Sequence, residues 1–460
     1  MKRIIAVSIF CLIFLTISTL SHSAGFLIYE HGAAAMAMAG AFVAIANNPT
    51  AIFHNPAGLA WLEGTQINFG TTLITSIGDL SLPNYALVDP TFNTTVEREK
   101  KWFYPPTFYI SHKISDSVVA GFGFFVPYGL GITWPEDYPL KYISVRDDMK
   151  ALIFNPTVAF KVNENFSLGF GVSYIYSTLE FELVERDEDT LPGSVVGLPF
   201  PAIGSYTVEI PVLFDATGSA WGLNAGALYK GENFSLGFNW RGGFKIDFDG
   251  NLELSAPDVN VQLLPPFDQL LPPGTAETIE TVIATQVPSG GTASTSFNFP
   301  HIFGVGLAFN LTESLIMSAD VHYLLWSTYD EFTVAVEVPG FDDKHVKENW
   351  EDSFVFRGGL EYNLNENLAL RAGFLYDQTP QPDESVDPIL PDSERWAVTG
   401  GFGYKSGNFV LNVAYQFEPF KDRESENRYF DLNPQATFNP WKGTYKTTAH
   451  LIGVSLGFVF

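Results

Sequence analysis

The stretch Ser167-Leu168-Gly169-Phe170-Gly171-Val172-Ser173-Tyr174-Ile175-Tyr176 alternates large apolar residues with mostly small or polar ones. Successive side chains of a β-strand point to opposite faces, so this period of two predicts a strand with one strongly apolar face. The same alternation recurs in residues 234–241, 368–376 and 409–417. The apolar face carries aromatic residues at both ends, which is typical of the interfacial girdles of a membrane barrel, although a strand of a β-sandwich also alternates.

The connections between the alternating segments are of two kinds. Short polar turns occur at residues 113–116, 163–165, 230–233, 310–314, 363–367 and 405–408. Long segments rich in proline and acidic residues separate them, such as 249–294 and 418–446. Short turns on one side and long loops outside are typical of single-chain outer-membrane barrels. With a first strand at 65–75 and a last at 447–460, the sequence predicts a 14-stranded antiparallel transmembrane β-barrel over residues 65–460.

The N-terminus indicates export from the cytoplasm. Lys2 and Arg3 precede an apolar run at residues 4–20, and Ser21-His22-Ser23 offers small residues at a signal-peptidase site. The run is shorter than the roughly 20 residues that a membrane-spanning helix needs. We therefore predict a signal peptide at residues 1–23, with cleavage after Ala24 and a retained anchor as alternatives. The only cysteine of the chain, Cys11, lies in this run, so neither disulfides nor a cysteine-based metal site is expected in the mature chain.

Composition narrows the class of protein further. Aromatic residues make up 15% of the 460 residues, yet no stretch after the signal approaches eighteen consecutive apolar residues, which argues strongly against a helical membrane protein. Acidic residues outnumber basic ones 51 to 25, which argues against nucleic acid as a partner. The acidic loops would suit divalent cations shared with lipopolysaccharide, although solvated loop charge is the preferred explanation.

Residues 24–64 do not alternate and form a separate segment before the barrel. Residues 32–40 are nearly all alanine, methionine and glycine, which suits a short and closely packed helix. Asn48-Pro49 and Asn55-Pro56-Ala57 each favour a chain break followed by the start of a helix. The segment has low charge, so an exposed tail would show an apolar patch. We expect it to form a small helical hatch that plugs the lumen, with a periplasmic partner-binding domain as the alternative.

Several motifs together resemble the FadL-type outer-membrane transporters of long-chain fatty acids and related hydrophobic compounds. Ala24-Gly25-Phe26, the small-residue helix and Asn55-Pro56-Ala57-Gly58-Leu59 are similar to that family's N-terminal hatch. Later segments are similar as well: 155–169, 221–229, 245–250, 326–327 and 391–395. Residues 185–219 and 249–294 depart in length from the best-known members. Because the outer loops build the ligand-capture site in this family, the resemblance does not specify the ligand.

The resemblance implies capture among the outer loops, transfer into the barrel and sideways release when the mature N-terminus near Phe26 moves. Release would occur beside a kinked third strand, which we place at residues 118–126. The residues expected to weaken that strand are Gly121, Gly123, Pro127 and Gly129. The alternative is that the glycines only relieve crowding against the hatch. Phe124, Phe125 and Tyr128 are candidates for the wall of a ligand pocket, although half of this aromatic run would face lipid.

Strand parity places several arginines in the lumen, where one of them could pair with a ligand carboxylate. They are Arg241, Arg357, Arg371 and Arg395. An internal ion pair or a hydrogen bond to the hatch explains each of them better, and Asp320 and Glu361 share the parity that would supply partners. The expected ligand is a long-chain fatty acid or an aromatic hydrocarbon, and no cofactor or metal is expected.

The motifs and the last strand bear on the class of function. The histidines are scattered outside any His-Glu-x-x-His pattern, and the chain contains no Gly-x-Ser-x-Gly elbow, so no enzymatic activity is expected. The final strand ends on Phe460, which resembles the signal that barrel-assembly machinery recognises, so that machinery and outer-membrane lipid are expected partners. A hydrophobic-substrate channel is the leading hypothesis, a structural or adhesive barrel with surface-binding loops is its alternative, and a general porin, which would conduct ions, is a third possibility.

Overall fold

A computed structural model describes residues 25–427 and 438–460, in which fourteen antiparallel strands form a closed barrel. Each strand pairs with the next along the chain, and the last pairs with the first from Gln66↔Val459 to Ser81↔Thr444. Closure leaves the sheet without an edge that lipid would have to satisfy. The predicted 14-stranded antiparallel barrel is thereby confirmed. The predicted signal peptide lies outside the described residues.

The strands have the following bounds. They are β1 Thr65–Ser81, β2 Pro106–Ser115, β3 Val118–Thr133, β4 Arg146–Lys161, β5 Phe166–Leu191, β6 Gly204–Lys230, β7 Phe234–Arg241 and Phe244–Leu254, β8 Gly290–Phe299 and Ile302–Asn310, β9 Leu315–Leu324, β10 Ser353–Asn363, β11 Leu368–Asp377, β12 Arg395–Ser406, β13 Phe409–Pro419 and β14 Gly443–Val459. Each of β7 and β8 is broken once, at Gly242-Gly243 and at Pro300-His301. The six predicted turns join β2 to β3, β4 to β5, β6 to β7, β8 to β9, β10 to β11 and β12 to β13.

The alternation in the sequence separates the outside of the barrel from its bore. In β5, Phe170, Val172 and Tyr174 are exposed on the outer face, whereas Ser167 and Ser173 are buried inside. An outer face of large apolar residues is what lipid requires, because only every second residue of each strand touches it.

The barrel is much taller on one side than the sequence predicts. β5 and β6 contain 26 and 27 residues, whereas a tilted transmembrane strand needs only about 9–11. Segment 185–219, expected as a loop, is largely paired strand, and segment 249–294 is strand at its two ends and helical between them; these strands prolong β5 to β8 beyond the membrane. Their pairing continues because inward residues such as Leu183, Val212 and Phe214 stay buried above the membrane and keep the alternation stable.

Helices are few and short. They are α1 Ala33–Met36, α2 Ala51–His54, α3 Phe267–Leu270 and α4 Thr275–Ala284, with 3-10 turns at Pro56–Trp61, Pro83–Leu87, Gly193–Val196, Trp326–Thr328 and Asp383–Ser385. Short strands in addition to the fourteen are Thr95–Glu97, Trp102–Phe103, Asp258–Leu263, Glu331–Glu337, Lys344–Lys347 and Arg423–Ser425. Among the residues that the structure describes, no helix is both long and apolar enough to span a membrane.

Candidate functional site

Residues 25–62, called the plug below, are almost entirely buried against inward-facing side chains of the barrel. The plug contains little regular helix, so many of its backbone N–H and C=O groups lack partners within the plug. Side chains of the barrel wall supply hydrogen bonds to them. Arg357 donates to the carbonyl of Ala39 at 2.9 Å, and the amide of Val43 donates to Asp320 at 2.8 Å. Thr399 accepts from the amide of Ala39 and donates to another plug carbonyl. These bonds fix the plug to β9, β10 and β12.

Small residues on the inner face make room for the plug. A Cβ built on each of the following glycines would approach a plug atom within 3.0 Å: Gly121, Gly123, Gly169, Gly226, Gly237, Gly306, Gly359, Gly373, Gly401 and Gly453. They belong to nine different strands around the barrel. The plug is therefore contacted from all sides, and larger side chains at these positions would collide with it.

The Asn55-Pro56-Ala57 motif sits at the tightest of these contacts. The Asn55 side chain accepts from the amide of Ala57 at 3.1 Å, which begins the following 3-10 turn. Its amide group donates to the carbonyl of Val43 at 2.8 Å and to that of Ala227 in β6 at 3.1 Å. One buried side chain thus joins two parts of the plug to the wall.

The barrel wall has a window between β2 and β3. Their ladder ends at Phe108↔Phe124, while β3 continues upward to Thr133, paired with β4. On the other side the chain follows β1 instead, through Trp102–Phe103. It is bonded to β3 again at Thr133, whose carbonyl accepts from the amide of Glu99 and whose hydroxyl accepts from the side chain of Lys101. Between these two levels, no strand pairing among the described residues joins the two sides.

A bulge in β3 lies beside the window. Phe125 pairs with Ile153 and Tyr128 with Ala151, so two residues of β3 face one of β4. One of the two is Pro127, which lacks an N–H for the ladder. The strand does not end at residue 126, as the sequence suggested, because the bulge absorbs the proline and pairing resumes.

The N-terminus of the plug is hydrogen-bonded to this bulge. The amide of Ile28 donates to the carbonyl of Pro127 at 2.7 Å, and the amide of Gly129 donates to the carbonyl of Phe26 at 3.2 Å. Leu27 and Tyr128 therefore form an isolated antiparallel bridge. Any movement of residues 26–28 must break these bonds and so acts directly on the strand that borders the window.

A cavity of about 770 Å³ connects the bore with the window. Residues 25–30 form one wall, and Leu130, Ile132 and Met149 contribute apolar surface opposite. At the window, a Cβ on Gly131 would lie 2.2 Å from the ring of Phe103, so glycine is needed there for this ring to fill the opening. The cavity suits a long apolar molecule that leaves between β2 and β3.

A smaller chamber of about 110 Å³, called the outer chamber, lies on the side of the extended strands. Four residues line both spaces: Phe26, Leu130, Met149 and Leu390. The Phe26 ring is surrounded by five aromatic rings at centroid distances of 4.9–6.2 Å, those of Tyr128, Phe299, Trp326, Tyr329 and Trp350. Aromatic contacts of this kind add about 0.5–1.5 kcal/mol each to simple burial, so Phe26 is held firmly between the two spaces.

An ion cluster occupies the far wall of the large cavity. Arg395 binds Asp377 at 2.9 Å, Glu418 at 2.8 Å and Asp392 at 3.4 Å. The side chain of Gln416 donates to Glu418 and to Glu30 of the plug. Arg395 is thus committed to protein carboxylates, which makes it a structural residue more than a ligand-binding one.

Two buried carboxyl groups, those of Glu348 and Asp387, line the outer chamber from the loops that cover it, called the loop cap below. Burial raises the pKa of Glu348 to about 8, with Asp387 adding to the effect, and burial raises the pKa of Asp387 to about 7. Glu348 accepts a hydrogen bond from the Trp350 indole at 2.9 Å, and Trp350 also contacts Phe26. The loop cap therefore packs best with these two groups protonated.

Raising the pH is expected to loosen this cap. The folded pKa values exceed the unfolded values of about 4, so the stabilisation is complete below about pH 4 and is lost as pH rises through about 8. Hydrogen exchange of peptides covering residues 340–352 and 380–392, corrected for intrinsic rates, should be slower near pH 5 than near pH 9. The Glu348→Gln variant should show a weaker dependence, and equal protection at both values would contradict this account.

The structure brings two of the predicted ligand-binding residues to the large cavity, Phe26 and Arg395. Arg241 instead donates to the carbonyl of Phe53 at 3.4 Å, and Arg371 is paired with Glu361 at 2.6 Å. Arg357, which was considered with them, lines the cavity but is bonded to the plug. Each of these arginines is therefore engaged in an internal ion pair or in a contact with the plug, which is the alternative to ligand binding stated for them above.

The three aromatic residues predicted for the pocket wall lie on different faces of β3. Phe124 faces outward with its ring against Phe154, so it lies on the lipid side and not in a pocket wall. Phe125 is buried against the plug residue Phe53 and away from both cavities, and Tyr128 packs on Phe26.

Gly121 and Gly123 are not at the window. Both are regularly paired on both sides and face Ile52 of the plug. Their role is the close approach of the plug, because an added Cβ would lie about 3 Å from that isoleucine. Only Pro127 and Gly129 of the predicted kink residues mark the border of the window.

Several lining residues were not predicted from the sequence. They are Arg98, Phe103, Tyr104, Tyr329, Trp350 and Leu390. The run Trp102-Phe103-Tyr104-Pro105-Pro106 was the available signal, since proline has no N–H to donate and is confined to the first residue or the edge of a strand, which indicates an interruption of the sheet here. The described part of the chain contains no cluster of three His, Cys, Asp or Glu side chains arranged to hold a metal ion.

Comparison with known proteins gives consistent matches over nearly the whole chain. The family model described as "Outer membrane protein transport protein (OMPP1/FadL/TodX)" matches residues 14–460. The long-chain fatty acid transport protein of Salmonella typhi is 22% identical over 409 residues, covering 87% of this chain and 88% of that protein. A Pseudomonas aeruginosa FadL homologue superposes with a TM-score of 0.70 at 20% identity, covering 95% of this chain and all of the other. The Pseudomonas putida toluene transporter TodX superposes with a TM-score of 0.68 at 16% identity, covering 94% and 99%.

Proposed function

This chain belongs to the outer-membrane transport protein family (OMPP1/FadL/TodX), and we propose that it takes up long-chain fatty acids or related hydrophobic compounds. Its barrel lies in the bacterial outer membrane. The single observation that carries the proposal is a sideways cavity in a barrel whose bore is filled by the plug. A molecule entering from outside has an apolar route to the window, and burying its chain is worth about 0.8 kcal/mol for each CH₂ group.

In the proposed sequence of events, a ligand first enters the outer chamber among the extended strands. It displaces Phe26 from its aromatic neighbours and reaches the large cavity. Displacement breaks the bonds of residues 26–28 to the bulge of β3, and the ligand leaves past Phe103 into the outer membrane. Release into lipid requires no aqueous step and leaves the rest of the plug in place. The proposal contains no catalytic step.

The proposal divides the chain into a signal peptide at residues 1–23, a plug domain at 24–64 and the barrel at 65–460. Outer-membrane lipid and lipopolysaccharide would surround the exposed aromatic face. Barrel-assembly machinery would recognise the last strand together with Phe460, which follows it with 66% of its surface exposed.

A surface-binding or adhesive barrel is the second candidate. The observation that favours it is the tall extension of β5 to β8, which carries exposed apolar residues near its tip, including Leu264 and Leu270. Such residues on a loop would suit contact with another surface.

Deleting residues 25–30 separates the two candidates. These residues form one wall of the large cavity, so uptake of a radiolabelled long-chain fatty acid or hydrocarbon at low concentration should fall at least tenfold. The remaining plug keeps its bonds to Asp320, Arg357 and Thr399, so the barrel should still insert and stay closed to ions. Unchanged uptake, with binding of cells to surfaces dependent on the extension, would favour the adhesive role instead.

A further inference from the structure

An arginine at the upper edge of the window is the one cation, among the described residues that line the cavity, bound to neither a carboxylate nor the plug. Arg98 follows the short strand Thr95–Glu97, and its amide donates to the carbonyl of Gly78 in β1 at 3.1 Å. Its guanidinium lies flat over that glycine, where an added Cβ would come within 2.6 Å of Nε and Nη2. Nη2 donates to the hydroxyl of Thr447 in β14 at 3.2 Å. The charge is thereby held on the inner face of the barrel, in the wall of the cavity.

Arg98 lacks a countercharge in direct contact. Within residues 25–427 and 438–460 no carboxylate lies within 4.0 Å of it, and its buried Nε has no hydrogen-bond partner there. Burial lowers the pKa of Arg98 to about 10, with Asp79 opposing the effect, so the group remains charged at neutral pH. A partly buried guanidinium with unused donors is costly to leave unpaired.

The other basic groups of the cavity are already engaged. Lys150 is paired with Asp148 at 2.7 Å, and Arg395 with three carboxylates. Arg357 donates to the plug and stacks over the ring of Tyr29 at 4.1 Å. Arg357 also has a buried Nε without a partner, but its Nη1 is bonded to the plug, so among the described residues Arg98 is the cation of the cavity that is bound to neither a carboxylate nor the plug.

We propose that Arg98 binds the carboxylate of a fatty acid whose alkyl chain occupies the cavity and the window. This inference rests on the proposed function and narrows it, because a neutral hydrocarbon offers nothing to a guanidinium, whereas a carboxylate accepts two parallel hydrogen bonds from it. Gly78 lies near the upper end of β1, above the level of Phe108↔Phe124, where the window begins. The head group is therefore held high and the chain points down, which is how a fatty acid lies in the outer leaflet it enters.

The test compares a long-chain fatty acid with its methyl ester, which has the same chain and no charge. Affinities are measured at about pH 8 by displacement of a fluorescent ligand from purified barrels. Wild-type protein should bind the acid at least tenfold more tightly than the ester. The Arg98→Gln variant should bind the acid about tenfold more weakly and the ester with unchanged affinity. The Arg98→Lys variant should recover most of the lost affinity for the acid. Arg146→Gln removes an arginine paired with Glu180 outside the cavity and should change neither affinity.

The outcomes separate the inference from the function on which it rests. If wild-type protein binds acid and ester equally, or if Arg98→Gln keeps the wild-type ratio, the inference is overturned while uptake of hydrophobic compounds stands. If the wild-type protein binds neither ligand, the proposed function itself fails. Gly78→Ala provides a second variant, because its methyl group pushes the guanidinium aside and should lower the acid-to-ester ratio even where Arg98→Gln does not fold.

Discussion

Replacing Gly226 with leucine is expected to convert a closed barrel into one that conducts ions. A Cβ at this position would lie 2.1 Å from Oδ1 of Asn55 and 2.8 Å from Cδ of Pro56. The larger side chain must push the motif out of its seat, and overpacking of this kind costs about 1–3 kcal/mol. The hydrogen bond from Asn55 to the carbonyl of Ala227 is lost as well, worth about 1 kcal/mol. Displacement of the plug then exposes a water-filled path.

Planar-bilayer recording tests this expectation. Wild-type protein should show almost no conductance, Gly226→Leu should show open events, and adding Gly169→Leu should increase their frequency, since a Cβ there would lie 2.3 Å from the backbone of Pro56. The matched control is Gly400→Leu, because an added Cβ there has no neighbour closer than 3.9 Å. A silent Gly226→Leu barrel would mean that the plug is not held by this contact.

A disulfide between positions 27 and 128 is expected to stop transport reversibly. The bonds on either side of the Leu27↔Tyr128 bridge make it a non-hydrogen-bonded antiparallel pair, whose Cα atoms lie about 4.5 Å apart. That distance falls within the range that a disulfide spans. The mature chain is predicted to contain no other cysteine that could mispair. With Leu27→Cys and Tyr128→Cys joined, Phe26 can no longer leave its aromatic neighbours.

Uptake by the oxidised double variant should fall at least tenfold and return on reduction. The reduced double variant is the control for the packing lost with Tyr128, and the two single variants control for each substitution. Equal uptake in the oxidised and reduced states would show that the N-terminus does not have to move.

The barrel could be predicted from the sequence because lipid and bore impose opposite demands on alternate residues. Ser167 and Phe170 differ in parity and lie on opposite faces of the wall, as the alternation required. The height of the extension could not be predicted, since β5 and β6 continue with a mixture of charged and apolar residues that also suits a loop. Pairing between two long strands, which is a tertiary property, keeps that region ordered.

The site was less accessible to prediction than the fold. Parity correctly placed Arg241, Arg371 and Arg395 inside, but only three-dimensional contacts show which partner each side chain has. Arg98 was missed because it lies in a segment that does not alternate, so no parity rule applies to it. The window could not be predicted for the same reason. The chain between β1 and β2 does not alternate, so the sequence does not show that it pairs with β1 and leaves this side of β3 unpaired at this level.

Photo-crosslinking tests the proposed route of the ligand most directly. A long-chain fatty acid with a diazirine at the end of its chain is bound to the barrel in lipid, activated by light and located by mass spectrometry. Sideways release predicts labelling of residues 103–105 and 129–131, on the two sides of the window. Labelling concentrated instead on residues 57–62, where Trp61 lies beside Ser167 at the short-turn end of the bore, would show that the ligand passes straight through.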